Sequence, residues 1–332
     1  MNRRFIQLLA IVAAVIFVPG AFQEAEAAPA VTLRVATLAP KGSSWMRVFE
    51  AWNNSLKQET NNALQLQFYA GGAQGDEKDF IRKIRAGQMD GAVVTATGLS
   101  QIVKPVLVLG APGLITEYAQ LDKVRGRFKG QFEEKFEAGG YTLLGWGDVG
   151  QARLFSTQKI TRPSQLRTVR PWAWRDDVIY SEFLKAVGAN PIRLGVPEVY
   201  PALQTGMVDT VPSSALSAVA LQWFSRLKYM SKQPMGVIGG ATILSKSKFD
   251  ALSAEHQAVL TSTGVKAHHA LRTSIRRDDA KAYRTLLSRG IQEVDTDPHK
   301  AEWDAKAKET RDRLAGRLYP KSMLARIEAA LQ

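Results

Sequence analysis

Ile84-Arg85-Ala86-Gly87-Gln88-Met89-Asp90, running into Gly91-Ala92-Val93-Val94-Thr95, and Leu203-Gln204-Thr205-Gly206-Met207-Val208-Asp209, running into Thr210-Val211-Pro212-Ser213-Ser214, are two copies of one pattern. In each, an amphipathic helical stretch ends at a glycine, an aspartate follows, and an apolar strand with small hydroxyl residues begins. Glycine ends a helix cheaply because it accepts the left-handed conformation, so each copy reads as helix, cap, turn and strand. Two similar α/β units imply two lobes. Open α/β sheets bind small ligands at the carboxyl ends of their strands, which makes a cleft between the lobes the expected site.

The N-terminus reads as a secretory signal. Arg3 and Arg4 form the charged start, Phe5 to Val18 a short apolar stretch, and Ala25-Glu26-Ala27 a small-residue cleavage site. Cleavage is expected after Ala27, and an uncleaved anchor is disfavoured by the short core. About 300 mature residues exceed what one hydrophobic core usually holds, in agreement with two lobes. The chain has no cysteine, so an exported form is held by packing alone. Its net charge of +13 suggests nucleic acid as a partner. Export and the scatter of basic residues along helices, with no aromatic-interleaved patch, argue against it.

Along the chain, Val31 to Ala36 alternate as a strand, and Trp45, Val48, Phe49, Trp52 and Leu56 recur at helical spacing as one buried stripe. Ser43 and Ser44 precede that helix, where free N–H groups accept a polar ligand or simply a cap. Leu121, Val124, Phe128, Phe132 and Phe136 mark another amphipathic helix. The chain is expected to cross into the second lobe around Gly145 to Ser156, near Trp146, Asp148 and Arg153, and to return near Gly236 to Leu244. Ser253 to Gly290 reads as one helix of over ~50 Å, long enough to lie across both lobes. Lobe I is therefore expected to hold 28–150 and about 237–270. Lobe II is expected to hold 151–236 and about 271–332 with the C-terminal helices.

Signals for chemistry are few. Gly71-Gly72-Ala73-Gln74-Gly75 is neither a phosphate loop nor a dinucleotide fingerprint. His268 and His269 are adjacent on a helix and point apart, so they make no metal pair, and no cofactor is expected. No Gly-x-Ser-x-Gly elbow and no thiol occur, and Asp148 lacks an identifiable partner for acid–base work.

The chain resembles the solute-binding proteins of TRAP transporters, the tripartite ATP-independent periplasmic systems that import organic acids on an ion gradient. Gly75-Asp76-Glu77 with Gly87 and Asp90, Arg162-Pro163-Ser164-Gln165-Leu166, and the string from Phe183 through Pro191 and Pro197 to Asp209 carry the resemblance. It implies an α/β, two-lobe periplasmic-binding-protein fold with a central ligand cleft and a long helix spanning both lobes. It also implies periplasmic location, delivery of a small-molecule ligand to TRAP membrane subunits, and no enzymatic activity. Typical members hold a carboxylate with an arginine shortly after the Pro-Ser-Gln-Leu segment, by bidentate pairing. Here Trp172 stands at that position, and Arg170 lies two residues early, on the same strand face but about 7 Å away along the chain.

That departure resembles a divergent branch without the clamping arginine, with a hydrophobic cleft and a tetratricopeptide-repeat periplasmic partner. The expected lining is Arg153, Trp172, Trp174, Ser43, Thr95, Ser213 and Trp223. Trp172 and Trp174 share one strand face, with plain packing as their alternative role; Arg153 matches a basic position near the ligand in typical members, with a hinge salt bridge as its alternative. The expected ligand is an organic acid if Arg153 dominates, or an apolar, lipid-like molecule if the tryptophans do. An exported hydrolase or isomerase on the same scaffold, or an adaptor that has lost its ligand, are the alternatives.

Overall fold

Alternating apolar residues make β1 (Val31–Thr37) a strand with Leu33 and Val35 buried, and the capped stripe makes α1 (Ser44–Glu59) a helix packed on it. A computed structural model describes residues 31–332; the expected signal, 1–27, lies outside them. The first lobe continues with β2 (Leu64–Tyr69), α2 (Glu77–Arg85), β3 (Gly91–Thr95), a short α3 (Ala96–Leu99) and α4 (Tyr118–Ala138). β1 pairs in parallel with β2 and β3. Then β4 (Tyr141–Ser156) leads into β5 (Trp172–Trp174), α5 (Val178–Ala186), β6 (Ile192–Leu194), α6 (Val196–Gln204), β7 (Thr210–Ser213), α7 (Ala215–Ala220) and β8 (Tyr229–Ser231). Returning through β9 (Gly236–Ser245), the chain forms α8 (Lys246–Asp250), α9 (Ala254–Ser288), β10 (Gln292–Val294), α10 (Lys300–Leu314) and α11 (Lys321–Leu331).

The sheet runs β10-β8-β4-β9-β3-β1-β2, with β7 also on β4 and a separate parallel pair β5-β6. β4 belongs to both lobes. Tyr141 to Ala152 pair with β9, whereas Arg153 to Ser156 pair with β7 and Phe155 and Ser156 also with β8. β9 ties this ladder to β3. Where the two crossing strands face each other they carry glycine, Gly147 opposite Gly240. A Cβ on Gly240 would sit 2.4 Å from the Val94 carbonyl oxygen and one on Gly147 2.7 Å from Leu271. Close approach of β3 and α9, more than flexibility, requires them.

The repeated aspartates have the same job in both lobes. Gly87 and Gly206 both adopt φ 71°, turning the chain out of α2 and α6. Asp90 accepts hydrogen bonds from the Arg34 backbone N–H at 2.8 Å and from its Nε at 2.9 Å. Asp209 accepts from the Arg170 backbone N–H at 2.8 Å and from its Nε at 3.1 Å. Each aspartate returns its own backbone N–H to that arginine's carbonyl. The carboxylate therefore fixes the register of its strand against the neighbour.

α9 spans about 50 Å. Ser253 caps it, its hydroxyl accepting from the His256 N–H, and Gly290 at φ 93° follows it. Against lobe I the helix places Thr263 under the Trp52 indole N–H, and His268 between the Gly264 carbonyl and the Thr242 hydroxyl. Near the crossing it brings Arg276 to Asp148, which Arg125 also holds; Asp148 is thus a structural charge inside an ion-pair network. The end of the chain departs from the expected division. Leu314, Leu318, Tyr319, Met323, Leu324 and Ile327 join the lobe I core with Phe128, Phe132 and Phe136 of α4, so α11 docks on lobe I while α10 packs on α5.

Candidate functional site

A cavity of about 620 Å³ lies between the lobes, within the range of sites that enclose a small organic molecule. Five expected residues line it together: Trp172, Trp174 and Trp223, with Thr95 from lobe I and Ser213 from lobe II. Period-two alternation puts Trp172 and Trp174 on one face, as their spacing predicts. Trp172 is held rigidly. Its indole N–H donates to the Leu194 carbonyl at 3.0 Å, and its ring meets Trp223 edge-on with centroids 5.3 Å apart.

Arg153 and Ser43 are not in the wall. Ala152 and Leu154 line the cavity, so the residue between them faces the other side of the strand. There the Arg153 guanidinium lies 4.3 Å from the Tyr283 ring centroid on α9 and donates to the carbonyls of Ser231 and Lys232 and to Gln151 Oε1. The guanidinium is thus bonded to backbone carbonyls and packed on α9 rather than set in the cavity wall. Ser43 caps α1, accepting from the Met46 N–H at 3.4 Å. Arg170 does not fill the place left by the clamp either, being committed to Asp209 and largely exposed. Among the described residues no arginine lines the cavity, and its one lysine, Lys300, is paired with Asp304.

Two short helices begin at the cavity wall, and each N-terminus is served by a carboxylate of the protein itself. Glu77 accepts from the Thr95 N–H at 2.7 Å, the Thr95 hydroxyl at 2.8 Å and the Gly98 N–H at 2.8 Å, around the start of α3. Burial pushes its carboxyl up to about 8 despite these donors. At α7, Asp279 reaches over from α9 to accept from the Leu216 N–H at 2.9 Å. Its other oxygen takes the Gln151 N–H at 3.0 Å and the Tyr118 hydroxyl at 3.3 Å, and burial again raises its pKa. Groups that welcome an anionic ligand at a helix start are thus already used.

The lobes also touch directly. Asp76, at the start of α2, accepts from the Trp174 indole N–H at 2.9 Å and from the Val196 N–H at 3.0 Å, both in lobe II. Lys78 meets Asp176 at 3.2 Å beside it. In sequence, Asp76 reads only as a helix entry, since nothing local signals a partner 98 or 120 residues away. Trp146 and Tyr180 also line the cavity, and neither carries a ligand-binding signal in its own segment.

Two α/β lobes joined by crossing strands and closed over a cavity define a ligand-binding protein of the bacterial two-lobe class. Residues 35–317 match the family of bacterial extracellular solute-binding proteins, family 7. The chain belongs to that family: it is a TRAP-type periplasmic solute-binding protein and not an enzyme. It is 24% identical over 267 residues to the 2,3-diketo-L-gulonate-binding periplasmic protein of Escherichia coli (strain K12), covering 79% of this chain and 80% of that one. To the C4-dicarboxylate-binding periplasmic protein of Rhodobacter capsulatus it is 23% identical over 288 residues, covering 86% and 85%. The fold matches a TRAP periplasmic solute-binding protein of Ralstonia eutropha H16 with bound (S)-2-acetolactate at a TM-score of 0.85 and 19% identity, over 90% of this chain and 98% of that one. A TRAP solute-binding protein of Sulfitobacter sp. NAS-14.1 with bound β-D-galacturonate matches at 0.82 and 19% identity, over 91% and 99%.

Proposed function

We propose that this protein, exported by cleavage after Ala27, captures an uncharged, largely apolar solute by lobe closure and delivers it to TRAP membrane subunits. A tetratricopeptide-repeat periplasmic protein is the further partner suggested by the resemblance to a branch without the clamping arginine. The supporting observation is a cavity lined by Trp172, Trp174 and Trp223, with no arginine among the described residues of its wall. Structural relatives hold galacturonate and acetolactate, which are carboxylates. A carboxylate in this cavity would lose its hydration without a guanidinium to replace it, at a cost of several kcal/mol. The tryptophan rings offer the opposite, a large apolar contact area. A solute touching both lobes shifts the equilibrium toward the closed form by its preference for that form.

The test uses the neutral fluorophore N-phenyl-1-naphthylamine, with D-galacturonate as competitor. The fluorophore is expected to bind, with small-angle scattering showing compaction, and its affinity is expected to resist added salt. Trp172→Ala should weaken it by roughly tenfold or more through lost apolar contact, whereas Arg153→Ala should leave it unchanged. Galacturonate binding that weakens with salt and vanishes in Arg153→Ala would overturn the reading in favour of an organic acid.

A further inference from the structure

One carboxylate caps a helix in each lobe. Asp76 stands just before α2, and its Oδ1 accepts from the Glu77 N–H, the first of that helix, at 2.7 Å. Its Oδ2 crosses to lobe II, where it accepts from the Val196 N–H, the first of α6, at 3.0 Å and from the Trp174 indole N–H at 2.9 Å. The open N–H groups at a helix start need an acceptor, and Gly195, which precedes α6, has no side chain to supply one. That glycine also leaves the carboxylate room: a Cβ on it would sit 2.7 Å from Asp76 Oδ2. Around this joint the lobes are close as well, since a Cβ on Gly72 would sit 3.3 Å from Pro197 Cγ and Lys78 pairs with Asp176. Segments 75–77 and 195–198, far apart in the chain, thus meet across the edge of the cleft.

Parting the lobes takes the acceptor away from Val196 and Trp174, whereas the bond to Glu77 stays inside lobe I. The crossing bonds therefore favour the closed form alone. They also register an occupant. Trp174 and Val196 line the cavity and Asp76 does not, so a solute packed on the tryptophan ring holds in place the same two groups that donate to Asp76. Closure strips water from the carboxylate, which raises its pKa; the crossing bonds offset that cost and leave a contact that can open again. We propose that Asp76 is the closure latch of this protein, a positioning residue that lies outside the cavity wall and holds the shut form through Trp174 and Val196. Resting on the reading of capture by lobe closure and not on the polarity of the solute, this gives the closed form a bond that the open form lacks.

The chain has no cysteine, so Lys78→Cys with Asp176→Cys places a single thiol pair across the joint, and the rate at which bismaleimidoethane bridges it reports how often the lobes are shut. In that background Asp76→Asn keeps an oxygen for the start of α2 but turns its NH2 on the two lobe II donors, and bridging should slow about tenfold or more. Trp174→Phe leaves Asp76 and its α2 cap intact and should slow bridging about three- to tenfold. Both substitutions together should be no slower than Asp76→Asn alone, because they break one shared contact. Unchanged bridging in either variant, or effects that multiply, overturn the latch and leave the apolar cavity standing. Without the thiol pair, Asp76→Asn should bind N-phenyl-1-naphthylamine about three- to tenfold more weakly although it does not line the cavity; unchanged affinity overturns the coupling of the latch to capture. Failure of the fluorophore to bind the unaltered protein, with bridging still slowed in the variants, overturns the apolar reading and upholds the latch.

Discussion

The two copies of the helix–glycine–aspartate unit are built alike and finished differently. Asp90 and Asp209 each clamp the backbone and the arginine of a neighbouring strand, and the strand beyond each ends at a short helix starting on the cavity wall. In lobe I the carboxylate at that helix start is Glu77, from the adjoining α2. In lobe II it is Asp279, from α9, which also contacts lobe I. The scaffold therefore repeats as a folding unit, while the cavity edge of lobe II is tied to the helix that both lobes share.

The largest test of that difference removes the two carboxylates in turn. Asp279→Ala leaves the Gln151 and Leu216 N–H groups and the Tyr118 hydroxyl without their partner, and chemical denaturation should show a loss of about 3–5 kcal/mol. Glu77→Ala should cost less, about 2–3 kcal/mol, because its contacts stay within lobe I. A larger loss for Glu77→Ala would reverse the comparison.

The lobe I docking of α9 is sharpened by pH. Desolvation holds the buried His268 down to about 4, against an ordinary value near 6.5. Its Nδ1–H donates to the Gly264 carbonyl and its Nε2 accepts from the Thr242 hydroxyl, which suits the neutral ring. Because the unfolded chain binds the proton first, this contribution is complete above pH 6.5 and is lost as pH falls toward 4, in total about 3 kcal/mol. Glu77 acts in the opposite sense: its raised folded value favours the protein at lower pH, with the benefit fading between about 4.5 and 8. Denaturation across this range in the unaltered chain and in His268→Gln separates the two, since the variant lacks the histidine component.

The smallest effect compares the clamps themselves. Asp90→Ala and Asp209→Ala should each cost about 2 kcal/mol, since each strands one backbone N–H while the arginine stays partly solvated. Similar losses in unfolding experiments would support their equivalence. A loss in one lobe only would show that the repeat is formal rather than energetic.

Much of this was legible because it is local. The repeat, the α1 and α4 stripes and the extent of α9 follow from spacing and caps, and the shared face of Trp172 and Trp174 follows from strand alternation. Arg153 escaped because a resemblance assigns a position and not the direction of its side chain, and β4 shifts register twice, between Leu143 and Gly145 and between Asp148 and Gly150, with no local pattern to mark either. The docking of α11 on lobe I escaped for a different reason. α10 before it is highly charged and has only three buried residues, Ala307, Thr310 and Leu314, too weak a stripe to show where the chain turns next. Asp76, Trp146 and Tyr180 owe their positions to residues far away in the chain, which no window of sequence contains.

The chain passes between its halves four times, in β4, β9 and α9 and again between α10 and α11. Halves tethered this closely meet as an intramolecular encounter at high effective concentration, with little translational or rotational freedom left to lose. A cargo bound by modest contacts can then supply enough free energy to hold them shut, and release needs only a comparably small push from whatever receives it.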